Sequence, residues 1–209
     1  MNTIILHGVG QSALNWQETI SYMEKEVLCP DLFTLVKGEE LTYQNLYKKV
    51  AEIIEQTPGP ISLIGLSLGA LLALNYTIEH PGKVQSLVLI AVQYKESQTF
   101  AKLEKKILDI LPEAFFSEEL GLSKQESIQL ENSLKHLDFS SDLEKISSPT
   151  LILCGEKDRL NKRAAKELAQ KIPSAELKFV KGAGHDVNKY APQELANILN
   201  EFLQKTSQV

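Results

Sequence analysis

A serine in a glycine-flanked turn is the residue of this sequence whose setting points most directly to catalysis. Residues 65–69 read GLSLG and fit the pattern G-x-S-x-G, directly after an apolar run and directly before a helix-forming run. In this setting a serine is held on a sharp strand-to-helix turn that exposes its hydroxyl. The two glycines suit such a turn because the strand and the helix approach each other too closely for a Cβ atom. Ser67 is therefore the predicted nucleophile.

A serine hydroxyl needs a base, and the base needs a carboxylate that orients it. His185 lies in a glycine-containing loop directly after the last predicted strand, and Asp158 follows the strand before it. These positions suit catalysis because sites in parallel sheets form at the carboxyl ends of the strands. The chain order Ser67, Asp158, His185 thus predicts a catalytic triad. The residues that fit less well are, for the base, His7, His80 and His136 and, for the acid, Asp31, Glu156 and Asp186.

Acyl transfer also needs hydrogen-bond donors for a developing oxyanion. The main-chain N–H of Leu68, directly after the nucleophile, is one predicted donor. The other is the N–H of Val9, in a loop whose glycines allow the backbone to turn inward. The side chains predicted to bind substrate are His7, Trp16, Leu66, Phe115 and Phe116. The alternatives are that His7 braces its loop and that Trp16 packs a helix against the sheet.

Six short apolar runs must position these residues. The runs are apolar without alternation, which is typical of strands buried on both faces of a parallel sheet. The predicted strands are residues 3–6, 27–30, 61–65, 86–92, 150–155 and 176–180. Segments with helical periodicity lie between and after them, at residues 14–26, between Thr42 and Pro58, and at residues 68–79, 163–171 and 192–205. The alternation predicts an α/β fold built from βαβ units.

One segment interrupts this alternation. The stretch from 95 to 148 is far longer than a single crossover helix requires. We predict a small helical lid over residues 95–148, inserted into a single-domain core of residues 1–94 and 149–209. The alternative is two ordinary surface helices beside the sheet. A lid would favour an apolar acyl or alcohol group in the substrate, because its predicted apolar side chains are Phe100, Leu103, Ile107, Leu111, Phe115 and Phe116.

These residues and motifs resemble the α/β-hydrolase fold family. The resemblance covers nearly the whole chain and rests on the segments HGVGQSALNW, GLSLG, HPGKVQSLVLI, DLEKISSPTLILCGEKD and GAGHDVNKYAPQELANILNEFL. It implies a three-layer fold, a nucleophile, acid and base at Ser67, Asp158 and His185, and oxyanion donors at Val9 and Leu68. Family members usually begin with a two-stranded hairpin, which this sequence lacks. The resemblance therefore implies a six-stranded, wholly parallel sheet with the second strand at its edge.

Composition argues against several other classes of protein. With 22 Lys and Arg against 27 Asp and Glu, the net charge of −5 disfavours nucleic-acid binding, which relies on basic side chains. No apolar run approaches about 18 residues, so no membrane span is predicted, and the N-terminus has no signal-peptide pattern. Two cysteines without a CxxC motif predict free thiols in a cytoplasmic protein. Four histidines without ligand spacing predict no metal site, and no motif indicates a cofactor.

Together these features predict a serine hydrolase of the carboxylesterase type that acts on a small-molecule ester or thioester. The same triad serves thioesterases, acyltransferases, amidases and some carbon–carbon hydrolases, and no motif in this sequence separates them. A dehalogenase is disfavoured because family members with that activity carry Asp at the nucleophile position. A membrane-surface lipase is disfavoured because the predicted lid mixes Lys and Glu. A binding module on the same fold is the non-enzymatic alternative. The physiological substrate and the oligomeric state stay open.

Overall fold

A computed structural model describes residues 2–95 and 111–207 of the chain. These residues form one six-stranded sheet in the order β2-β1-β3-β4-β5-β6. Each neighbouring pair of strands is parallel, which confirms the predicted wholly parallel sheet with β2 at an edge. The strands are β1 (Asn2–Leu6), β2 (Val27–Leu28), β3 (Ile61–Leu66), β4 (Val84–Ile90), β5 (Thr150–Gly155) and β6 (Ala175–Val180).

Helices connect the strands. Their bounds are α1 (Gln17–Ser21), which follows a 3₁₀ turn at Ala13–Trp16, α2 (Leu32–Leu35), α3 (Tyr43–Gln56), α4 (Leu68–Glu79), α5 (Glu113–Phe115), which continues into a π turn at Phe116–Leu120, α6 (Lys124–Leu134), α7 (Lys162–Lys171), α8 (Val187–Tyr190) and α9 (Pro192–Thr206). None of the helices in the described part of the chain is long and apolar enough to cross a membrane.

Alternate side chains of the strands enter two apolar clusters, one on each face of the sheet. On β4, Leu87 and Leu89 join the cluster that contains the buried sides of α3, α4 and α7. Val88, which lies between them, and Ile90, which follows Leu89, join the cluster that contains Trp16 and the buried side of α9. Because both faces need apolar side chains, the strand sequences are apolar throughout rather than alternating. The result is the predicted three-layer arrangement of helix, sheet and helix.

Local signals set the ends of several helices. The Thr42 hydroxyl accepts a hydrogen bond from the Asn45 N–H at 3.2 Å and so begins α3 where the sequence predicts it. The predicted helix over residues 14–26 is shorter in the structure. The N–H groups of Tyr22 and Met23 bond to carbonyls three residues back, a 3₁₀ geometry that ends α1.

The described part of the predicted lid packs beside the core. The Tyr43 N–H at the start of α3 donates to the Ser133 hydroxyl of α6 at 2.8 Å, and Leu130 of α6 is buried in the same cluster as α3. Helix α6 therefore packs against the core. A lid over the site and the alternative of two surface helices both stay predictions, because residues 96–110, with Phe100, Leu103 and Ile107, lie outside the described residues.

Candidate active site

Ser67 occupies a strained turn between β3 and α4. Its backbone has φ 55° and ψ −114°, a left-handed conformation that residues with a Cβ atom rarely adopt. Two close approaches impose the turn. A Cβ atom added to Gly65 would lie 2.3 Å from the Gly69 carbonyl oxygen, and one added to Gly69 would lie 2.0 Å from the Leu6 carbonyl oxygen. Both glycines of the motif are therefore required by the packing of α4 against β3 and β1.

The Ser67 side chain is left available by this geometry. Ser67 stands at the N-cap position of α4, yet its hydroxyl makes no capping hydrogen bond. The turn is instead held through the main chain, because the Ser67 N–H donates to the Ile90 carbonyl at 2.9 Å. The hydroxyl thus lies half-buried at the carboxyl end of β3, beside the N-terminus of a twelve-residue helix, which favours negative charge.

Asp158 and His185 are brought into contact at the same edge of the sheet. Asp158 Oδ2 lies 3.2 Å from His185 Nδ1. The carboxylate side chain is 4% exposed and the imidazole 44% exposed, so the acid is enclosed while the base faces solvent. With its Nδ1–H donating to Asp158, the imidazole keeps a lone pair on Nε2, as a base that accepts a proton from a serine requires.

Close packing of two loops produces this contact. A Cβ atom on Gly155, at the end of β5, would lie 2.0 Å from the Gly184 carbonyl oxygen. One step further along, the Lys157 N–H donates to the Ala183 carbonyl at 2.8 Å. The loop that carries Asp158 and the loop that carries His185 therefore touch backbone to backbone, and only glycine fits at position 155.

The Asp158 carboxylate is stabilised in its charged form. Burial alone would raise its pKa, but the hydrogen bonds from His185 and Asn161 outweigh this effect and hold the pKa below its ordinary value. Asn161 contributes twice: its N–H donates to Oδ1 at 3.1 Å and its side-chain amide donates to Oδ2 at 2.7 Å. Asp158 is therefore a permanent negative charge beside the imidazole at neutral pH.

Two main-chain N–H groups lie at the same strand ends. Val9 belongs to the loop after β1, and Leu68 is the first residue of α4. Among residues 2–95 and 111–207, neither N–H has a protein acceptor. Gly8 lets the Val9 loop approach Ser67, because a Cβ atom there would lie 2.9 Å from the Leu66 side chain and 3.3 Å from Ser67 Cβ. An oxyanion site formed by these two donors stays a prediction.

A buried polar network joins the Val9 loop to the His185 loop. Gln11 Nε2 donates to Asp186 Oδ1 at 3.0 Å and to Asn188 Oδ1 at 3.2 Å. Gln11 Oε1 accepts from the Trp16 indole N–H at 3.1 Å and from Asn188 Nδ2 at 3.2 Å. Because these groups are mutually bonded and all but the half-buried Asp186 are buried, the network fixes the two loops relative to each other.

Three of the side chains predicted to bind substrate lie behind the site. His7 and Trp16 are fully buried, and Leu66 is 1% exposed within the apolar cluster of the α9 face. His7 Nδ1 faces the Gly8 carbonyl at 2.9 Å, and Nε2 accepts from the Leu32 N–H at 2.9 Å, so both ring nitrogens are used within the protein. This placement suits the alternatives in which His7 braces its loop and Trp16 packs a helix, and a contribution of the three to substrate binding stays a prediction.

The other two predicted substrate-binding residues are neighbours on α5 and the π turn. Phe115 and Phe116 meet edge to face with ring centroids 5.8 Å apart, and Lys124 Nζ lies 5.6 Å from the centroid of Phe116. Phe116 is fully buried, and Phe115 is half-buried. A contribution of Phe115 to a substrate pocket stays a prediction.

The site uses neither cysteine. Burial raises the pKa of the Cys154 thiol to about 12, so this buried thiol is protonated and unreactive at neutral pH. Cys29 is half-buried, and the two thiols form no disulfide. No group of three or more His, Cys, Asp or Glu side chains is placed to hold a metal ion within the described ranges.

Sequence reasoning missed three polar residues that support the site, namely Gln93, Asn161 and Asn188. Their hydrogen bonds join residues that are far apart in the chain, as between Gln11 and Asn188. One local signal was available. Asn161 stands three residues after Asp158 and directly before α7, so its side-chain amide could be expected to bond either to the helix N-terminus or to the Asp158 carboxylate.

Comparison with known proteins gives consistent matches. A family model described as "Alpha/beta hydrolase family" matches residues 4–198. The biotin biosynthesis bifunctional protein BioHC of Teredinibacter turnerae is 24% identical over 97% of this chain, which spans 44% of that protein's length. A putative 2-succinyl-6-hydroxy-2,4-cyclohexadiene-1-carboxylate synthase of Bacillus subtilis is 26% identical over 80% of this chain and 75% of its own. Among solved structures, one from work on carboxylesterases of Nitrososphaera gargenis superposes with a TM-score of 0.85 at 20% identity, covering 99% of this chain and 91% of that one.

Proposed function

Because the chain belongs to the alpha/beta hydrolase family, we propose that it is a serine hydrolase that cleaves a small carboxylic ester through an acyl-enzyme on Ser67. The observation that carries this proposal is the strained Ser67 turn at the same sheet edge as the Asp158–His185 pair. A strained turn persists only where the surrounding structure enforces it, and such turns cluster at functional sites.

The proposed reaction begins with attack of Ser67 Oγ on the ester carbonyl. His185 Nε2 takes the hydroxyl proton, and Asp158 stabilises the imidazolium that forms. The carbonyl oxygen becomes an oxyanion, which accepts hydrogen bonds from the N–H groups of Val9 and Leu68. His185 then returns the proton to the leaving alkoxide, which departs as the alcohol and leaves an acyl group on Ser67.

Water completes the cycle. His185 Nε2 removes a proton from the water as the oxygen attacks the acyl carbon. The second tetrahedral intermediate collapses with expulsion of Ser67 Oγ, which recovers its proton from His185. The products are the carboxylic acid and the regenerated enzyme. Asp158 suits its role because its carboxylate is buried, hydrogen-bonded and held ionised at neutral pH.

Hydrolysis of a nitrophenyl ester tests the proposal. We expect Ser67→Ala to lower kcat at least about a thousandfold, because the nucleophile is removed while the fold is kept. The matched control is Ser117→Ala, which changes an exposed serine of the π turn and is expected to leave kcat unchanged. A Ser67→Ala protein that hydrolyses the ester as fast as the unmodified protein would contradict the proposal. No hydrolysis of ester, thioester or anilide by the folded wild type would favour a binding module.

A second candidate function comes from the Bacillus subtilis relative, whose name describes a synthase. The same serine, histidine and aspartate would then serve the formation of 2-succinyl-6-hydroxy-2,4-cyclohexadiene-1-carboxylate. A chromatographic assay for that product, run beside the ester assay, separates the two. Product formation with little ester hydrolysis would favour the synthase, and the reverse would favour the esterase.

A further inference from the structure

Asn161 stands where a helix-capping residue belongs but does not cap. It is the N-cap residue of α7, and asparagine is among the best N-cap residues because its side-chain oxygen accepts an N–H of the first turn. Here the side chain makes no capping hydrogen bond. It is 95% buried and turns away from the helix, with Nδ2 placed 2.7 Å from Asp158 Oδ2 and 3.1 Å from His185 Nδ1.

The neighbours fix which end of the Asn161 amide faces the acid. Gln93, just after β4, places Nε2 3.0 Å from the Leu160 carbonyl oxygen, an atom that only accepts hydrogen bonds. The same Nε2 lies 2.8 Å from Asn161 Oδ1. Because Gln93 must present its donor there, Asn161 must present its oxygen to Gln93. Asn161 Nδ2 is therefore the atom that faces Asp158 and His185.

We propose that Asn161, held by Gln93, is a positioning residue for the Asp158–His185 pair. This inference rests on the proposed function, since it concerns the same catalytic base. The Asn161 N–H and side-chain amide bind the two carboxylate oxygens separately, so the carboxylate cannot rotate about its bond to the chain. The imidazole is then oriented by a carboxylate of fixed direction, with its Nδ1 toward Asp158 and its Nε2 left to accept the proton in the proposed reaction.

The physical gain is orientation of the base before substrate arrives. A carboxylate with one free oxygen could turn, and the imidazole bonded to it would lose its fixed orientation. The helix loses a capping bond in return, because the amide cannot serve the α7 N-terminus and Asp158 together. In the described part of the chain, the side-chain bonds of Gln93 go to Asn161 and to the Leu160 carbonyl and not to Asp158 or His185, so Gln93 acts on the pair through Asn161.

A double-mutant cycle on the hydrolysis of a nitrophenyl ester tests the inference. Asn161→Leu keeps a similar volume and removes both polar atoms, and we expect kcat to fall about tenfold with KM changed less than about twofold. Gln93→Leu is expected to lower kcat about threefold in the wild-type background and to have no further effect in Asn161→Leu. Lys166→Gln, on the exposed side of α7, is the matched control and should leave kcat unchanged.

The outcomes separate positioning from mere structure. If the two substitutions acted independently, their fold losses in kcat would multiply in the double variant. If Gln93 acts through Asn161, the loss in kcat of the double variant equals that of Asn161→Leu alone. Multiplicative losses in kcat, or an unchanged kcat in Asn161→Leu with the protein folded by circular dichroism, would overturn the inference. If Asn161→Leu does not fold, Asn161→Ala takes its place in the cycle. A wild type that neither hydrolyses esters nor reacts with a fluorophosphonate would instead refute the proposed function, so the two failures are distinguishable.

Discussion

Gly155→Ala is expected to separate the acid from the base without touching either residue. The added Cβ atom would lie 2.0 Å from the Gly184 carbonyl oxygen and 2.6 Å from the Ala183 carbonyl oxygen. Since Cβ atoms essentially never come within 3.0 Å of such atoms, the loop that carries His185 must retreat by about 1 Å. The Asp158–His185 distance, now 3.2 Å, would then exceed the range of a hydrogen bond.

The loss of activity follows from that displacement. A misplacement of about 1 Å in a catalytic group costs on the order of 100-fold in rate, equivalent to about 2.7 kcal/mol in the barrier. Overpacking should also lower the free energy of unfolding by about 1–3 kcal/mol. Both quantities are measured on one preparation, kcat/KM with a nitrophenyl ester and stability by urea denaturation.

Gly184→Ala provides the matched control. It changes the residue next to His185, but its Cβ atom meets nothing within 4 Å. We expect kcat/KM within about twofold of the wild-type value, because the loop need not move. A Gly155→Ala enzyme with wild-type kcat/KM would refute the reasoning, as would equal losses in the two variants.

Two further predictions concern stability. Ser67→Gly should be about 1 kcal/mol more stable than Ser67→Ala, seen as a melting temperature about 2–4 °C higher, because only glycine adopts φ 55° without strain; equal stability of the two inactive variants would contradict the strained turn. Burial lowers the pKa of His7, although the Gly8 carbonyl and Asp31 act in the opposite direction. Below about pH 6.5 the imidazole is therefore protonated in the unfolded chain but still neutral in the folded protein. As the pH is lowered through this range, the free energy of unfolding decreases by up to about 1.4 kcal/mol per pH unit, until the lowered pKa of the folded state is reached. Urea denaturation between pH 7.5 and 5.5 should show a shallower fall for His7→Gln, and identical slopes would argue against the buried neutral imidazole.

Much of the fold was predictable because its signals are local. Helix α4 and strand β5 begin and end at the predicted residues, since both are continuous apolar runs between clear breakers. Strand β4 was shifted. The predicted residues 86–92 include Ala91, whose φ of 50° ends the strand at Ile90 although the sequence stays apolar. Apolar composition indicates burial, and it does not indicate where the backbone turns.

In the candidate site, too, some residues could be predicted from the sequence and others could not. Ser67, Asp158 and His185 follow strands whose carboxyl ends lie at one edge of the parallel sheet, so topology alone predicts that they lie near one another. Gln11 and Asn161 act through hydrogen bonds that depend on side-chain direction. No periodicity carries that information, and two partners of Gln11, Asp186 and Asn188, lie about 175 residues away in the chain. The sequence also did not indicate that His7 and Trp16 are buried, because a large ring with a polar atom can either line a pocket or lie in the core with that atom hydrogen-bonded.

The identity of the nucleophile is the claim on which the account depends. Mass spectrometry of the protein after reaction with a fluorophosphonate tests it most directly, because the reagent phosphonylates only an activated serine. We expect a single adduct on the peptide that contains Ser67, and none in Ser67→Ala or after prior unfolding in urea. An adduct on a different residue, or a folded wild type that stays unlabelled, would contradict the assignment of Ser67 as the nucleophile.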